Sequence, residues 1–323
     1  MFWKYYKFRD LTPLEMILLP VLSVLLAAAM YRFVEQPFRR FKETSLSGSG
    51  FGLACALLSL LIVIPAANAW ANKGWSWRLP PELYQSLGDM TSKRKEYWGD
   101  WKGNVRKPSD FSPARLSVVV IGDSFALDVV NMIRLTRGLE VYYDGTTGYN
   151  CRGFVIPAKR CAVNKKKFQT NYEGAEVVVL ADQGSTWGPT ADSRETAAML
   201  RNVNLLRHHG FKGPVVIYGE RPRYSNPVYQ IVLRFGRLAG AGRYASESLM
   251  VSEAGIRERI ETAKTFYESH NLHYFSPVPQ LCRDEWCDVL TPSGKQIYFD
   301  TMHFTLDGVQ HLKAEFADYL RSL

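Results

Sequence analysis

Three residues that lie far apart in the sequence have the types that covalent acyl chemistry requires. Ser124 lies in a Gly-Asp-Ser turn directly after the apolar run 116–121, and a helical pattern follows it. Asp300 and His303 form a D-x-x-H shortly before the last helical pattern. A carboxylate at this spacing can hydrogen-bond one imidazole nitrogen, which leaves the other nitrogen free to take a proton from a serine. The sequence therefore predicts a triad of Ser124, His303 and Asp300, with a simple helix-capping serine as the alternative.

These residues need a scaffold that brings them together, and the pattern of elements predicts one. Apolar runs typical of buried strands alternate with helical patterns from residue 116 onward. Continuous apolar strands separated by helices predict a parallel sheet covered on both faces, in an α/β fold. Ligands bind beyond the carboxyl ends of such strands, where Ser124 lies. The predicted strands are Leu116–Ile121, Leu139–Tyr143, Glu176–Ala181, Pro214–Tyr218 and Leu272–Phe275, and the predicted helices are Phe125–Arg137, Asp192–His209, Ser246–His270 and Leu306–Leu320.

Composition and motifs narrow the class of protein. The 323 residues carry 40 Lys and Arg against 31 Asp and Glu, and this charge of +9 suits phospholipid headgroups or acidic glycans as partners. Nucleic acid is not a predicted partner, because the sequence has no zinc-finger spacing, RNP-like aromatic signature or basic helix. No P-loop and no G-x-G-x-x-G follows a strand, so no nucleotide cofactor is predicted. No metal is predicted either, because neither cysteine pair has CxxC spacing.

Two apolar segments dominate the first 73 residues. Leu14–Tyr31 and Phe51–Trp70 are each long enough to cross a bilayer, and the basic loop between them is predicted to be cytoplasmic. A signal peptide cleaved at Ala27–Ala29 is the alternative, and it would leave the remaining chain in the cytoplasm. The sequence thus predicts a membrane segment over 1–73, then an extended periplasmic linker over 74–113.

Four cysteines outside the apolar segments form two close pairs. Cys151 and Cys161 are ten residues apart, and Cys282 and Cys287 enclose only Arg-Asp-Glu-Trp. Such local pairs indicate two disulfides in an oxidising compartment, with four reduced thiols as the alternative. An oxidising compartment favours a hairpin of two spanning helices over the signal peptide, because the hairpin returns the chain to the outer side.

The blocks around the triad resemble the SGNH hydrolase family. The Gly-Asp-Ser after the first strand and the D-x-x-H before the last helix occupy the positions of that family's nucleophile and of its Asp/His pair. The resemblance covers residues 114–323 and implies a three-layer α/β/α, flavodoxin-like catalytic domain. It also implies that Ser124 is the nucleophile, that His303 is the general base and acid, and that Asp300 orients the imidazole.

The oxyanion hole matches this family less well. Where the family has a Gly after the second strand and an Asn after the third, this chain has DGTTGYNC and LADQGSTW. Gly145 or Gly148 can supply a backbone N–H, and Gln183 stands in the block that lacks the asparagine. The N–H of Ser124, at the start of a helix, is the remaining predicted donor.

The end of the first apolar segment resembles the acyltransferase-3 family of integral membrane proteins. Some members of that family continue with one further helix and a periplasmic SGNH domain, and these resemble acetyltransferases of O-antigen and other surface glycans. The resemblance implies that this chain is the C-terminal part of such a protein, whose upstream membrane helices bring an acyl donor across the membrane. The residues that match the family's Tyr-Arg-Phe-x-Glu-x-Pro-Phe-Arg motif are Tyr31, Arg32, Phe33, Glu35, Pro37, Phe38 and Arg39.

Both resemblances together imply an O-acetyltransferase that modifies a surface polysaccharide such as lipopolysaccharide O-antigen through an acyl-serine. The implied location is the bacterial inner membrane with the catalytic domain in the periplasm. The implied partners are the upstream helices, the polysaccharide acceptor and membrane lipids. A membrane-tethered carbohydrate or lipid esterase and a non-catalytic glycan-binding module remain the alternatives. Arg221 and Arg223 are predicted to contact an anionic acceptor or the membrane surface, or else to lie in a solvated helix and loop.

Overall fold

The described part of the chain falls into two units. The computed structural model describes residues 11–36, 48–71, 80–87, 90–99, 110–145, 169, 171–181, 194–283 and 286–323. One unit is Met1–Leu79 and the other is Pro80–Leu323. The second unit therefore begins well before residue 114, where the sequence places the start of the catalytic domain.

The N-terminal unit contains two apolar helices. Helix α1 spans Pro13–Met30 and begins with a capping box, in which Thr12 Oγ1 accepts the N–H of Glu15 and the Glu15 carboxylate accepts the N–H of Thr12. It continues into a π-helical turn over Tyr31–Glu35, and α2 spans Gly48–Ala71. Both ends of the predicted cytoplasmic loop thus belong to helices, and its residues 37–47, which include the last three motif residues, lie outside the described residues.

One described helix meets the length and composition needed to cross a bilayer. Pro13–Phe33 has a mean hydropathy of 2.1, and none of this stretch is buried by other parts of the protein. So large an apolar surface requires an apolar surrounding, which makes the helix a candidate membrane span. The described apolar stretch of α2, Ala56–Ala71, is shorter. Of the two spans predicted from the sequence, the described residues thus support the first.

Among the described residues, five parallel strands form the main sheet of the second unit. Their order is β2-β1-β3-β4-β5, and each neighbouring pair is parallel. Strands β3 and β4 are buried along their whole length, as expected for apolar strands of a parallel sheet. The predicted parallel α/β architecture is confirmed. The strands are β1 (Leu116–Gly122), β2 (Leu139–Gly145), β3 (Val177–Ala181), β4 (Val215–Tyr218) and β5 (His273–Phe275).

The helices of this unit differ from the sequence prediction in several places, among them the short helices Val228–Phe235, Ala241–Ser246 and Val278–Leu281, which the prediction does not include. The predicted helix Ser246–His270 begins seven residues later, at Glu253, because Ser252 caps its start by accepting the N–H of Gly255. The predicted linker contains two short helices that bury Leu83 and Tyr97. The helices are α3 (Pro81–Leu87), α4 (Met90–Gly99), α5 (Ala126–Arg134), α6 (Arg194–His208), α7 (Val228–Phe235), α8 (Ala241–Ser246), α9 (Glu253–Ser269), α10 (Val278–Leu281) and α11 (Leu306–Arg321).

A two-stranded hairpin carries one of the predicted disulfides. Strands β6 (Cys282–Arg283) and β7 (Trp286–Cys287) pair antiparallel, and Cys282 is bonded to Cys287. The other predicted pair, Cys151 and Cys161, lies outside the described residues.

Candidate active site

The turn between β1 and α5 presents Ser124 at the carboxyl edge of the sheet. Gly122 ends β1, and a Cβ at this position would lie 1.7 Å from the carbonyl oxygen of Ala181. Glycine therefore allows β1 to run this close to β3. The Asp123 carboxylate accepts the N–H of Phe125 at 2.9 Å, which tightens the turn immediately around the serine.

The loop before α11 fixes the orientation of His303 through Asp300. The Asp300 Oδ1 atom accepts the backbone N–H groups of Met302 at 2.8 Å and His303 at 2.7 Å. Its Oδ2 atom lies 2.7 Å from His303 Nδ1. Burial raises the pKa of Asp300, but the hydrogen bonds from His303 and Met302 outweigh burial and leave the pKa below its usual value. Asp300 is therefore a charged carboxylate held against the imidazole.

The remaining imidazole nitrogen faces the serine. His303 Nε2 lies 3.0 Å from Ser124 Oγ, within hydrogen-bonding distance. A serine hydroxyl next to an imidazole that a carboxylate orients has the geometry needed for nucleophilic catalysis. The structure thus brings together all three residues of the predicted triad.

Aromatic rings surround the imidazole. Phe299 stacks nearly parallel to His303 with ring centroids 5.6 Å apart, and Phe125 lies at 5.2 Å. The indole of Trp98 lies at 6.1 Å. Trp98 belongs to α4, in a stretch that the sequence predicts to be an extended linker. The signal that could have identified this helix is the stretch from Met90 to Trp98, which contains no proline or glycine.

The predicted oxyanion-hole donors can be located in part. Gly145 ends β2 and pairs with Gly122, so it lies at the sheet edge that carries Ser124. Gly148 and Gln183 lie outside the described residues. In the part of the chain that the structure describes, no group of His, Cys, Asp and Glu side chains could hold a metal ion.

The two arginines predicted to bind an acceptor are buried. Arg221 has no exposed surface and pairs with Asp128, while Arg223 retains 7% of its surface. Their guanidinium carbons lie 4.1 Å and 5.5 Å from the ring centroid of Phe125. A guanidinium enclosed in this way does not reach an acceptor. The prediction of direct substrate contact is therefore wrong for Arg221, because its charge is used inside the domain.

The sequence and the fold are both similar to those of known proteins. A family model described as an SGNH domain fused to AT3 domains matches residues 93–318. The lipopolysaccharide acetyltransferase periplasmic domain from Salmonella ser. Paratyphi A matches with a TM-score of 0.54 and 14% identity, covering 74% of this chain and 99% of that chain. No curated protein matches the sequence significantly.

Two further solved structures match less well. A protein assigned as an acylhydrolase from Bacteroides fragilis has a TM-score of 0.37 and 10% identity, covering 70% of this chain and 97% of that chain. A protein assigned as a lipase from Chitinophaga pinensis has a TM-score of 0.39 and 13% identity, covering 64% and 98%.

The residues that the family model matches are those that form the α/β fold described above. The matched region begins inside α4 and runs to the last helix, and it spans more than half of the chain. The likeness to the Salmonella domain confirms the predicted SGNH-like α/β fold. The chain belongs to the family of SGNH domains that are fused to AT3 domains.

Proposed function

We propose that this protein is an O-acyltransferase that acylates a hydroxyl group of a cell-surface polysaccharide through an acyl-Ser124 intermediate. The observation that carries the proposal is the contact of 3.0 Å between His303 Nε2 and Ser124 Oγ, with Asp300 on the other ring nitrogen. Membership of a family fused to AT3 domains supports acyl transfer. The likeness to a domain of a lipopolysaccharide acetyltransferase supports a surface polysaccharide as acceptor and acetyl as the acyl group.

In the first half-reaction, His303 takes the proton of Ser124 as Oγ attacks the carbonyl carbon of the acyl donor. Asp300 keeps the imidazole in the correct tautomer and stabilises its positive charge. The N–H groups of Ser124 and Gly145 stabilise the oxyanion at the carboxyl edge of the sheet. When the tetrahedral intermediate collapses, the leaving group takes the proton from His303, and an ester remains on Ser124.

In the second half-reaction, an acceptor hydroxyl attacks the ester carbon and gives its proton to His303. The bond to Ser124 Oγ then breaks, and the serine recovers its proton from the imidazole. Water in place of the acceptor would give hydrolysis with the same residues. The rings of Phe125, Phe299 and Trp98 around the imidazole support transfer, because they limit the access of water to the base.

The same proposal places the protein in the bacterial inner membrane, with its SGNH domain in the periplasm. The apolar helix over Pro13–Phe33 supports an anchor, and the bond between Cys282 and Cys287 supports an oxidising compartment. Membrane helices of the acyltransferase-3 type would deliver the acyl donor from the cytoplasmic side, and membrane lipids would surround α1.

The test is mass spectrometry of the full chain in detergent after incubation with p-nitrophenyl acetate. An acetyl adduct is expected on Ser124, and it is expected to disappear in Ser124→Ala and in His303→Ala. Ser322→Ala, at the end of α11, is the matched control and should keep the adduct. An acceptor oligosaccharide should speed the loss of the adduct and itself become acetylated.

Two outcomes would contradict the proposal. If the acetyl group passes only to water at a rate that the acceptor does not change, the protein is an esterase. If the folded wild-type chain forms no adduct, the domain is a binding module.

A further inference from the structure

Three buried side chains next to the nucleophile form a network that the mechanism above does not use. Tyr97, on α4, donates its phenol O–H to the carboxylate of Asp128, on α5. The same carboxylate forms an ion pair with Arg221, which follows β4. Tyr97 is 1% exposed, and Asp128 and Arg221 have no exposed surface. The network therefore lies entirely inside the domain.

The network contacts the segment that carries the nucleophile. Asp128 lies one helical turn after Ser124, and its backbone N–H donates to the carbonyl of Phe125 at 3.3 Å. The phenol oxygen of Tyr97 also lies 3.4 Å from the carbonyl oxygen of Ser124. Displacement of Tyr97 or Asp128 would therefore move the serine itself.

Arg221 extends the network towards the base. Its guanidinium lies over the ring of Phe125, and the ring centroid of Phe125 is 5.2 Å from that of His303. The Nε and Nη2 atoms of Arg221 have no hydrogen-bond partner among the described residues. Cation–π contacts take the place of these hydrogen bonds. The further rings within 5.3 Å of the guanidinium are those of Tyr218 and Phe304.

Tyr97 also connects the two halves of the triad. Its ring lies 5.1 Å from that of Phe299, which is in the loop that carries Asp300 and His303. The helix that carries Tyr97 is held to α11 by Lys93, whose Nζ atom lies 3.4 Å from Asp307. Tyr97 thus contacts the serine turn through its hydroxyl group and the histidine loop through its ring.

Stability alone is a weak reason for such a network. Burial raises the pKa of Asp128, and the charges of Arg221 and His303 and the hydrogen bond from Tyr97 lower it only in part. Burial lowers the pKa of Arg221, but Asp128, with smaller contributions from Tyr218 and Tyr97, outweighs burial and raises it, so the arginine keeps its charge. Apolar side chains of similar volume often stabilise a core as well as a buried ion pair or better. A pair retained directly next to a catalytic serine points to a role in positioning.

We infer that Tyr97, Asp128 and Arg221 are positioning residues for the acyl-transfer reaction. Tyr97 fixes the serine turn against the histidine loop, and the ion pair of Asp128 and Arg221 holds the ring of Phe125 against the imidazole. This inference rests on the proposed function. It also makes α4 part of the active site.

The test compares Tyr97→Phe with wild type in the full chain, using turnover of p-nitrophenyl acetate. Loss of one hydroxyl group should lower kcat by about 10-fold to 10²-fold, because small misplacements of reacting groups are costly. The KM should stay unchanged, because Tyr97 is only 1% exposed and therefore has almost no surface for contact with an ester. Tyr319→Phe is the matched control: it removes a hydrogen bond of 3.2 Å to the Tyr274 carbonyl, and it should keep the wild-type kcat.

A folded Tyr97→Phe protein with wild-type kcat, or with a change in KM alone, would overturn the inference. If Tyr97→Phe does not fold, the double variant Asp128→Asn/Arg221→Met removes both charges together and leaves no unpaired buried charge. It should show the same loss in kcat, and a wild-type kcat would overturn the inference. Turnover that persists in Ser124→Ala would instead refute the proposed function. If Ser124→Ala is inactive and Tyr97→Phe keeps the wild-type kcat, only the inference about positioning is refuted.

Discussion

Asp300 belongs to the triad and Asp128 lies next to it, and the surroundings of these two aspartates differ. The Asp300 side chain is 37% exposed and accepts three hydrogen bonds, which come from the His303 ring and from two backbone N–H groups. Its pKa is below the usual value. The Asp128 side chain is fully buried, accepts a hydrogen bond from Tyr97 and forms an ion pair with Arg221. Burial raises the pKa of Asp128.

This difference in surroundings indicates different roles: Asp300 acts on the reacting imidazole, whereas Asp128 holds the surrounding structure in place. A carboxylate surrounded by N–H groups and some water keeps its charge at little cost, so Asp300 can stabilise an imidazolium. A carboxylate enclosed by protein loses several kcal/mol of hydration and depends on its cation. Asp128 can therefore act only together with Arg221. Substitution of Asp300 should affect mainly the rate, whereas substitution of Asp128 should also affect folding.

The largest expected effect is that of Asp300→Asn on activity. The amide can still occupy the site but favours the wrong imidazole tautomer, so turnover of an activated ester should fall by about 10⁴-fold and remain measurable. Asp318→Asn, at an exposed position on α11, is the matched control and should not change turnover. Retention of more than a tenth of wild-type activity in Asp300→Asn would show that Asp300 does not orient the base.

Asp300 could be predicted from the sequence, whereas the role of Asp128 could not. Asp300 and His303 are three residues apart, so one turn of chain determines their contact. Asp128 is 31 residues from Tyr97 and 93 residues from Arg221, and these contacts exist only once the sheet has formed. Sequence patterns carry no information about such pairs. A charged side chain such as Arg221 is then predicted at the surface by default.

The strands and the linker show the same contrast between features that local sequence determines and features that long-range contacts determine. Each of the five strands was predicted to within two residues, because a continuous apolar run is a local signal. Helix α4 was missed because its charged sequence has no clear amphipathic pattern. It is formed by the packing of Tyr97 and Trp98 on the histidine loop, which is again a long-range contact. Local signals thus predicted the sheet and the triad but not the parts that hold the triad in place.

The next largest effect is expected from Asp128→Asn on folding. The substitution leaves the charge of Arg221 buried without a counter-ion, which should lower the free energy of unfolding by about 3–5 kcal/mol. Chemical unfolding followed by tryptophan fluorescence measures this loss. The double variant Asp128→Asn/Arg221→Met should recover most of it, because no buried charge is left. Equal losses in the single and the double variant would show that the lost contacts, and not the unpaired charge, cause the effect.

A third carboxylate extends the comparison to a buried acid whose pKa is lowered by three arginines. Glu220 is 3% exposed, and its Oε2 atom has no hydrogen-bond partner among the described residues. Burial raises the pKa of Glu220 from 4.5 to about 7, although Arg223, Arg259 and Arg221 lower it in part. The surroundings of Glu220 thus differ from those of both aspartates. N–H groups stabilise the charge of Asp300, and one cation balances the charge of Asp128.

The smallest expected effect is the dependence of stability on pH that Glu220 causes. Its folded pKa lies above the unfolded value, so the folded protein keeps a proton that the unfolded chain releases as the pH rises from 4.5 to about 7. The free energy of unfolding should therefore fall across this window, by about 3 kcal/mol at most. Glu220→Gln resembles the protonated acid and should remove this fall, so the variant should match wild type near pH 5 and exceed it near pH 8. Glu247→Gln, at an exposed position, is the matched control and should leave the pH dependence unchanged. The contrary outcome is an equal loss of stability in wild type and Glu220→Gln between these two pH values. It would show that Glu220 has the same pKa in the folded protein as in the unfolded chain, because the arginines around it balance its charge fully.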